Sequence, residues 1–315
     1  MLENIFYSTE IVAPVFIVMA LGYFAKKVKI INEVFVEVTS KFVFNISLPV
    51  LIFMEISAID ISETIDFNEI IFIYGATIIT YLLVWVGSIP FIKDPKDRSV
   101  FIQGSYRGNY AIIGLALIAN LFGEQELGKA SIILAFVLPL YNILAVIVLT
   151  VPMRKEKEQN ILKIIKQIAV NPLIIAVVAA VPFSLLEIKI PSLLETTGNY
   201  IGDIALPLAL IGIGGSLNFD HLKKVSMMAF TAAALKLTIL PLVMTFAAYF
   251  FGFRANELGV LYILFSCPTA IVSFIMADAM GTNSKLAGNI ILVSTLGSVF
   301  TIALGITILK SFALI

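Results

Sequence analysis

Charge is scarce in this chain: 13% of its 315 residues are Asp, Glu, Lys or Arg, while 60% are hydrophobic and the mean hydropathy is +1.03. No water-soluble domain of this length would carry such a surface, so the composition excludes a soluble enzyme and points to a polytopic membrane protein. A single cysteine, Cys267, and a single histidine, His221, exclude a disulfide framework and a Cys/His metal cluster. No G-x-x-x-x-G-K-[ST] run occurs, and no loop is long enough to house a nucleotide-binding domain, which argues against ATP-driven pumping. The first ten residues hold no Lys or Arg and no A-x-A-like site follows the first apolar run, so the first helix is expected to be retained rather than cleaved. A formal net charge of zero gives no support for nucleic-acid binding, and nothing calls for a cofactor.

What the chain does have is long, continuous apolar runs. They fall at roughly 11–25, 36–56, 68–92, 99–122, 130–152, 163–186, 196–217, 225–251, 258–280 and 285–311. Ten spanning helices are expected, an all-α fold, because barrel strands would alternate over about ten residues. Taking alternate loops as one side collects Lys26, Lys27, Lys29, Lys41, Lys93, Lys96, Arg98, Arg154, Lys155, Lys157, Lys163, Lys166, Lys223, Lys224 and Lys285. The other side holds only Lys129, Lys189, Arg254 and Lys310, with an acidic loop of Asp60, Glu63, Asp66 and Glu69. The positive-inside rule then places both termini outside a plasma (inner) membrane.

The sequence also matches itself at an offset of 158 residues. Val12, Pro14 and Ile17 recur as Val170, Pro172 and Ile175; Asn45 to Pro49, "NISLP", recurs as Asp203 to Pro207, "DIALP"; Ala119 and Gly123 recur as Ala277 and Gly281; Ile132, Ile133 and Leu134 recur as Ile290, Ile291 and Leu292. One register held without a gap argues for an internal duplication, with 1–152 and 163–315 as five-helix halves joined by a cytoplasmic connector at 153–162. Halves with an odd number of crossings are inverted relative to one another, a common plan among secondary transporters.

Two pairs of interruptions sit at matching places. The fourth run reads "SVFIQGSYRGNYAIIGLALIANLFG", with Gly104, Gly108, Gln103, Ser105, Arg107 and Asn109 midway along it; the ninth reads "LFSCPTAIVSFIMADAMG", where Pro268 lacks an N–H. Under the offset Asn109 pairs with Cys267 and Tyr110 with Pro268, so both breaks are expected at corresponding positions. A break leaves the first N–H groups of the outgoing half-helix without partners, and their dipole favours negative charge. In inverted halves two such ends meet near the midplane, so Arg107, Gly108, Asn109, Cys267, Pro268 and Thr269 are candidates for a small anion site. Arg107 either forks a carboxylate or snorkels to the cytoplasmic face.

The second pair is "FNISLP" and "GDIALPLALIGIGGS", where Pro49 and Pro207 remove donors and free carbonyls one turn upstream. Asp203 and its mate Asn45 are candidates for coupling H+ or Na+. Lys236 lies about twelve residues beyond Lys224, ~18 Å deep at a helical rise, too far to snorkel easily. Asp203 with Lys236 reads either as a proton-handling pair or as an ion pair fixing two helices. Asp278 and Asn120 read as solvated helix ends, and "GIGGSL" as close helix packing, since no strand precedes it.

At these same residues the chain resembles the auxin efflux carrier family, the group of plant PIN-FORMED auxin carriers and microbial malate or malonate permeases. The segments are "NISLPVLIF", "RGNYAIIGLALIANLFG", "LPLALIGIGGSL", "KLTILPL" and "CPTAIVSFIMADAMG" with "ILVSTLGSVFT", and they span nearly the whole chain. The resemblance implies ten helices in two inverted repeats, a scaffold of helices 1, 2, 6 and 7, helices 4 and 9 that cross at their breaks, and Asn109 on a substrate carboxylate. The plant carriers have proline immediately before that asparagine where this chain has Gly108, and many carry a long cytoplasmic loop this chain lacks; the short form suits a prokaryotic organic-anion carrier. The expected activity is secondary transport of small organic anions by alternating access. A Na+- or H+-coupled symporter or antiporter of related fold, or an anion sensor that moves nothing, are the competing readings, and assembly as a homodimer stays open. The enzyme reading lacks any His/carboxylate or Ser/His set within the spans.

Overall fold

The computed structural model describes residues 2–59, 66–150, 170–217 and 226–315, and they are helical without extended sheet. The expected connector at 153–162, residues 163–169 of the sixth run, His221, Lys223, Lys224, and Asp60 and Glu63 of the acidic loop lie outside the described residues. Among the described residues, six helical stretches are long and apolar enough to cross a membrane, and three shorter apolar helices, Tyr110–Phe122, Pro172–Leu185 and Ala255–Ser266, fall within other expected spans.

In chain order, α1 is Leu2–Lys27, and Asn32 caps α2, Glu33–Phe42. A π turn, Val43–Ser47, leads into α3, Leu48–Ser57, whose second residue is Pro49. Asp66 caps α4, Phe67–Ser88, and Asp94 with Pro95 opens α5, Pro95–Tyr106. A second π turn, Tyr110–Gly114, precedes α6, Leu115–Phe122, and α7 is Glu124–Thr150. Asn171 caps α8, Pro172–Leu185; α9, Ser192–Asp203, and α10, Ala205–Ser216, are parted at Ile204. Then come α11, Met227–Ala234, a third π turn, Leu235–Ile239, and α12, Leu240–Phe250. Finally α13 is Ala255–Ser266, α14 is Val272–Ala279, and α15 is Ser284–Ser311.

Proline explains the widened turns. Pro49 and Pro241 each stand second in the helix that follows a π turn. A missing N–H there leaves a carbonyl one turn back without its donor, and the ring crowds that turn; one extra residue per turn accommodates both. The expected break at Pro49 is therefore a widening and not an opening, whereas the chain near Pro207 does leave helical bonding, at Ile204.

Burial is uneven in a way a lipid solvent explains. α5 from Ser99 to Tyr106 and α13 from Leu258 to Ser266 are buried throughout, while α4 exposes Ile71, Leu82, Leu83 and Val86, and α12 exposes Leu242, Val243, Phe246 and Phe250. Such apolar outer faces suit an integral membrane protein. The "GIGGSL" segment packs α10 on α1: a Cβ at Gly214 would overlap the Met19 carbonyl, and one at Gly22 would overlap that of Ile211. Close packing of two backbones is thus the use of those glycines.

The repeat-related glycines that close α6 and α14 behave alike. Gly123 has φ of 81° and Gly281 of 69°, the left-handed region that side chains avoid. The central breaks are less symmetric. Tyr106 ends α5, and its mate at the 158-residue offset is Leu264, yet α13 runs on to Ser266. The outgoing segment after Asn109 begins at Tyr110, while its counterpart begins only at Val272. The expected pairing of Asn109 with Cys267 is thus displaced. Pro268 holds Cys267 extended, at ψ of 138°, and delays the return to helix.

Away from the breaks, the N-terminal turns of α4, α7 and α13 meet around one ammonium. Lys129 Nζ lies 3.0 Å from Glu69 Oε2 and 3.5 Å from Glu257 Oε1, and Asn256 donates to Glu126 at 3.0 Å. Glu69 is only 1% exposed, so this pair is a buried one.

Candidate functional site

The two unwound stretches pair with each other. Gly108 and Thr269 form an isolated antiparallel bridge, in which Asn109 N–H donates to the Pro268 carbonyl at 2.7 Å and Ala270 N–H donates to the Arg107 carbonyl at 3.1 Å. Thr269 N–H donates to Ser294 Oγ at 3.1 Å, and Thr269 Oγ1 donates to the Gly104 carbonyl at 2.7 Å. Several of the backbone groups that the breaks would orphan inside the fold, the Asn109, Thr269 and Ala270 N–H groups and the Gly104, Arg107 and Pro268 carbonyls, are thereby satisfied.

A cavity of about 440 Å³ opens beside this crossing, a size suited to a small ligand. Its wall includes the starts of both outgoing segments, Tyr110 to Ile112 and Ala270 to Val272. The first N–H groups of a helix have no carbonyl a turn behind them, so both ends present donors and the positive pole of a dipole to one space. The Asn109 side chain does not cap its own helix, and Asn109 lines the same cavity.

Arg107 does not snorkel. It is 2% exposed and lines the cavity, with Nη2 donating to Asn142 Oδ1 at 2.6 Å and Nη1 to Met276 Sδ at 3.2 Å and to the Tyr141 carbonyl at 3.4 Å. All three partners are neutral, and among the described residues no carboxylate lines the cavity. The only other cation that these residues place on the wall is Lys41, which is exposed and already paired with Glu37 at 2.6 Å. Among the described residues, Arg107 is therefore a buried, positioned fork without a counter-ion.

Of the other candidates, Gly108 and Asn45 line this cavity, the latter with its amide nitrogen on the Lys41 carbonyl at 2.7 Å. Cys267, Pro268 and Thr269 stand behind it: their backbone and the Thr269 hydroxyl hold the crossing together rather than facing the space. Pro49 shapes α3 and is not on this wall.

Asp203 and Lys236 are not brought together. Asp203 is exposed at the end of α9 and lines a second cavity of about 420 Å³ with Glu55, Asn120, Glu124 and Pro207. Lys236 is buried and donates to the Phe265 carbonyl at 2.6 Å. The expected pair fails because sequence depth fixes height along a helix but not the direction a side chain takes around it.

Three wall residues were not singled out from the sequence: Asn142, Tyr141 and Asn171. Asn142 carried a usable signal, a lone amide inside the apolar run "VLPLYNILAV". Asn171 did as well, since Asn followed by Pro is a helix start, and it caps α8 through Leu173 N–H at 2.9 Å.

The chain is 25% identical over 314 residues to a protein of Rhizobium meliloti provisionally named a malonate transporter, with 97% of each chain covered. It is 24% identical over 300 residues to an uncharacterized transporter of Methanothermobacter thermautotrophicus, covering 94% of this chain and 97% of the other. An uncharacterized transporter of Escherichia coli is 23% identical over 302 residues, covering 93% and 95%. A family model described as membrane transport protein matches residues 7–306, and on that near-complete match the chain belongs to the auxin efflux carrier family of membrane transport proteins.

Proposed function

We propose that this protein is a secondary transporter of small organic anions, carboxylates of the malonate or malate kind, which bind at the crossing of the two broken helices. The observation that carries the reading is one cavity onto which two helix starts, Asn109 and Arg107 converge, with no acidic side chain from the described residues on its wall and none paired with Arg107. A carboxylate there would meet charge-assisted donors in a site screened from water, where each is worth more than in solution. The cavity holds one guanidinium fork and two helix ends, which suits an anion with two carboxyl groups. The name of the Rhizobium meliloti relative agrees with that chemistry.

In this reading the chain crosses the membrane ten times, with 1–152 and 163–315 as inverted halves and both termini outside. The Lys/Arg bias, the 158-residue offset and the shared left-handed glycines support it. The Lys41 side of the anion cavity then faces the cytoplasm and the Glu124 side of the second cavity faces out. Alternation moves α4 to α7 and α11 to α15 against the remaining helices. Uptake of labelled malonate into proteoliposomes tests the activity, with acetate and an indole acid as comparison anions. Saturable uptake whose half-saturating malonate concentration rises in Asn109→Ala is the expected result, and equal non-saturable leak with either protein would end the proposal. For orientation, a cysteine replacing Glu124 should label from outside, and one replacing Lys96 only after permeabilisation.

A further inference from the structure

Lys236 has no role in the site as described so far, yet it sits directly behind it. It belongs to the third π turn, is 2% exposed, and makes one hydrogen bond, to the carbonyl of Phe265 at the end of α13. A Cβ built on Gly108 would lie 3.3 Å from its Nζ, so only the thin backbone of the break parts the amine from the anion cavity.

The π turn packs against α5, α11, α12, α13 and α15. The ionisable groups these supply near it are Tyr106 and Arg107 at the end of α5, and Tyr262 and Cys267 at the end of α13; Lys96, Asp97 and Arg98 stand at the opposite end of α5, and Glu257 at the opposite end of α13. α12 carries only Tyr249, towards its far end. Lys285 and Lys310 stand at the two ends of α15. Tyr262 already donates to the Thr301 carbonyl at 2.9 Å. The two carboxylates are engaged elsewhere, Asp97 by Asn283 at 2.7 Å and Glu257 by Lys129 at 3.5 Å, and among the described residues none of these groups forms an ion pair with Lys236.

A buried ammonium with one carbonyl acceptor and a guanidinium nearby is costly to keep charged. Two events relieve that cost: the amine gives up its proton, or an anion arrives across Gly108. Arg107 has only the second option, because a guanidinium keeps its proton in proteins. Lysine has both. An anion that favours the protonated amine must, by linkage, be bound more tightly when the amine is protonated.

We propose that Lys236 is the proton-binding group of transport, taking a proton from water as the anion enters the crossing and returning it as the anion leaves. The proton joins the amine lone pair, no other bond changes, and the loaded site carries anion and proton together, so the cycle is proton–anion symport. This rests on the anion site proposed above.

The test uses the purified full-length protein and malonate. Titration calorimetry in two buffers of different ionisation enthalpy gives the number of protons taken up per anion across pH 6 to 10. The wild type should show uptake rising towards one proton as the free amine deprotonates, with affinity falling roughly tenfold per pH unit in that range. Lys236→Arg, charged throughout, and Lys236→Met, never charged, should both bind with no proton uptake and no such pH dependence, the Met variant more weakly. Two variants are used so that misfolding of one leaves the other to decide, and a melting curve confirms which is folded. Wild-type binding without proton uptake, or undiminished uptake in a folded variant, overturns the role of Lys236 and leaves the anion site standing. Absence of malonate binding by the wild type overturns the site and this inference with it.

Discussion

The cavity beside the crossing and the one among α1, α3, α6 and α10 are of similar size, about 440 and 420 Å³, and opposite in charge. Among the described residues, one is walled by amides and guanidinium, with Asn45, Asn109, Asn142 and Arg107; the other by carboxylates, with Glu55, Glu124 and Asp203 and no Lys or Arg. Asn45 and Asp203 occupy matching places in the duplicated sequence, so the same position has become an amide on one side and an acid on the other. On the proposed reading of the chain as a duplicated anion transporter, the two halves would supply two equivalent approaches to a central point, and this substitution would make them unequal. An anion would then be attracted along one approach and repelled along the other, which would set where it dwells without changing where it binds.

Predictions that would break or sharpen this contrast run from large to small. Lys129→Met removes the ammonium that serves the buried Glu69. Leaving that carboxylate unpaired should cost about 3 kcal/mol, read as a lowered melting temperature, and combining it with Glu69→Gln should restore most of the loss. Next comes Arg107→Gln, which strips the amide-lined cavity of its buried cation. Anion affinity should fall by about 2 to 3 kcal/mol, and Arg107→Lys should recover only part, because an ammonium cannot fork. Binding of malonate at wild-type strength to a folded Arg107→Gln protein would erase the charge difference as a cause.

Asn109→Ala should cost about 1 to 3 kcal/mol of anion binding with little change in melting, since its amide holds no cap. Asp203→Asn should have the smallest effect. Its side chain is exposed and has no ion pair among the described residues, so stability should move by less than about 0.5 kcal/mol. Apparent affinity measured from the acidic side should rise slightly, and more at low ionic strength than at high. A large loss of stability would mean that Asp203 holds a partner its position in the structure does not explain.

Much of this was legible beforehand because the signals are backbone signals. Pro268 and the Gly108 region marked the breaks, and Gly123 and Gly281 marked matching helix ends that share a left-handed conformation. Asn109 could be placed at a helix start for the same reason. What escaped the sequence is azimuth and partnership. Thr269 looked like a ligand and turns away to hold Gly104; Asp203 and Lys236 looked like a pair and stand in different places. Asn142 was passed over although it holds Arg107 in the cavity, because one amide in an apolar run has no periodicity to reveal which way it faces.

The antiparallel bridge at Gly108 and Thr269 has a mechanical corollary. Each broken helix is stitched to the other by main-chain bonds at the very point where ligand would sit, and Ser294 pins the stitch to a third helix. Pulling the half-helices apart would strip donors and acceptors of partners in a place with no water to replace them. Under the proposed transport cycle the binding point would therefore lack a door of its own: it would change sides only as cargo, carried whole while its surroundings slide. Slow amide exchange at Asn109 and Ala270, at a rate that does not quicken during turnover, would be the signature of a site that travels shut.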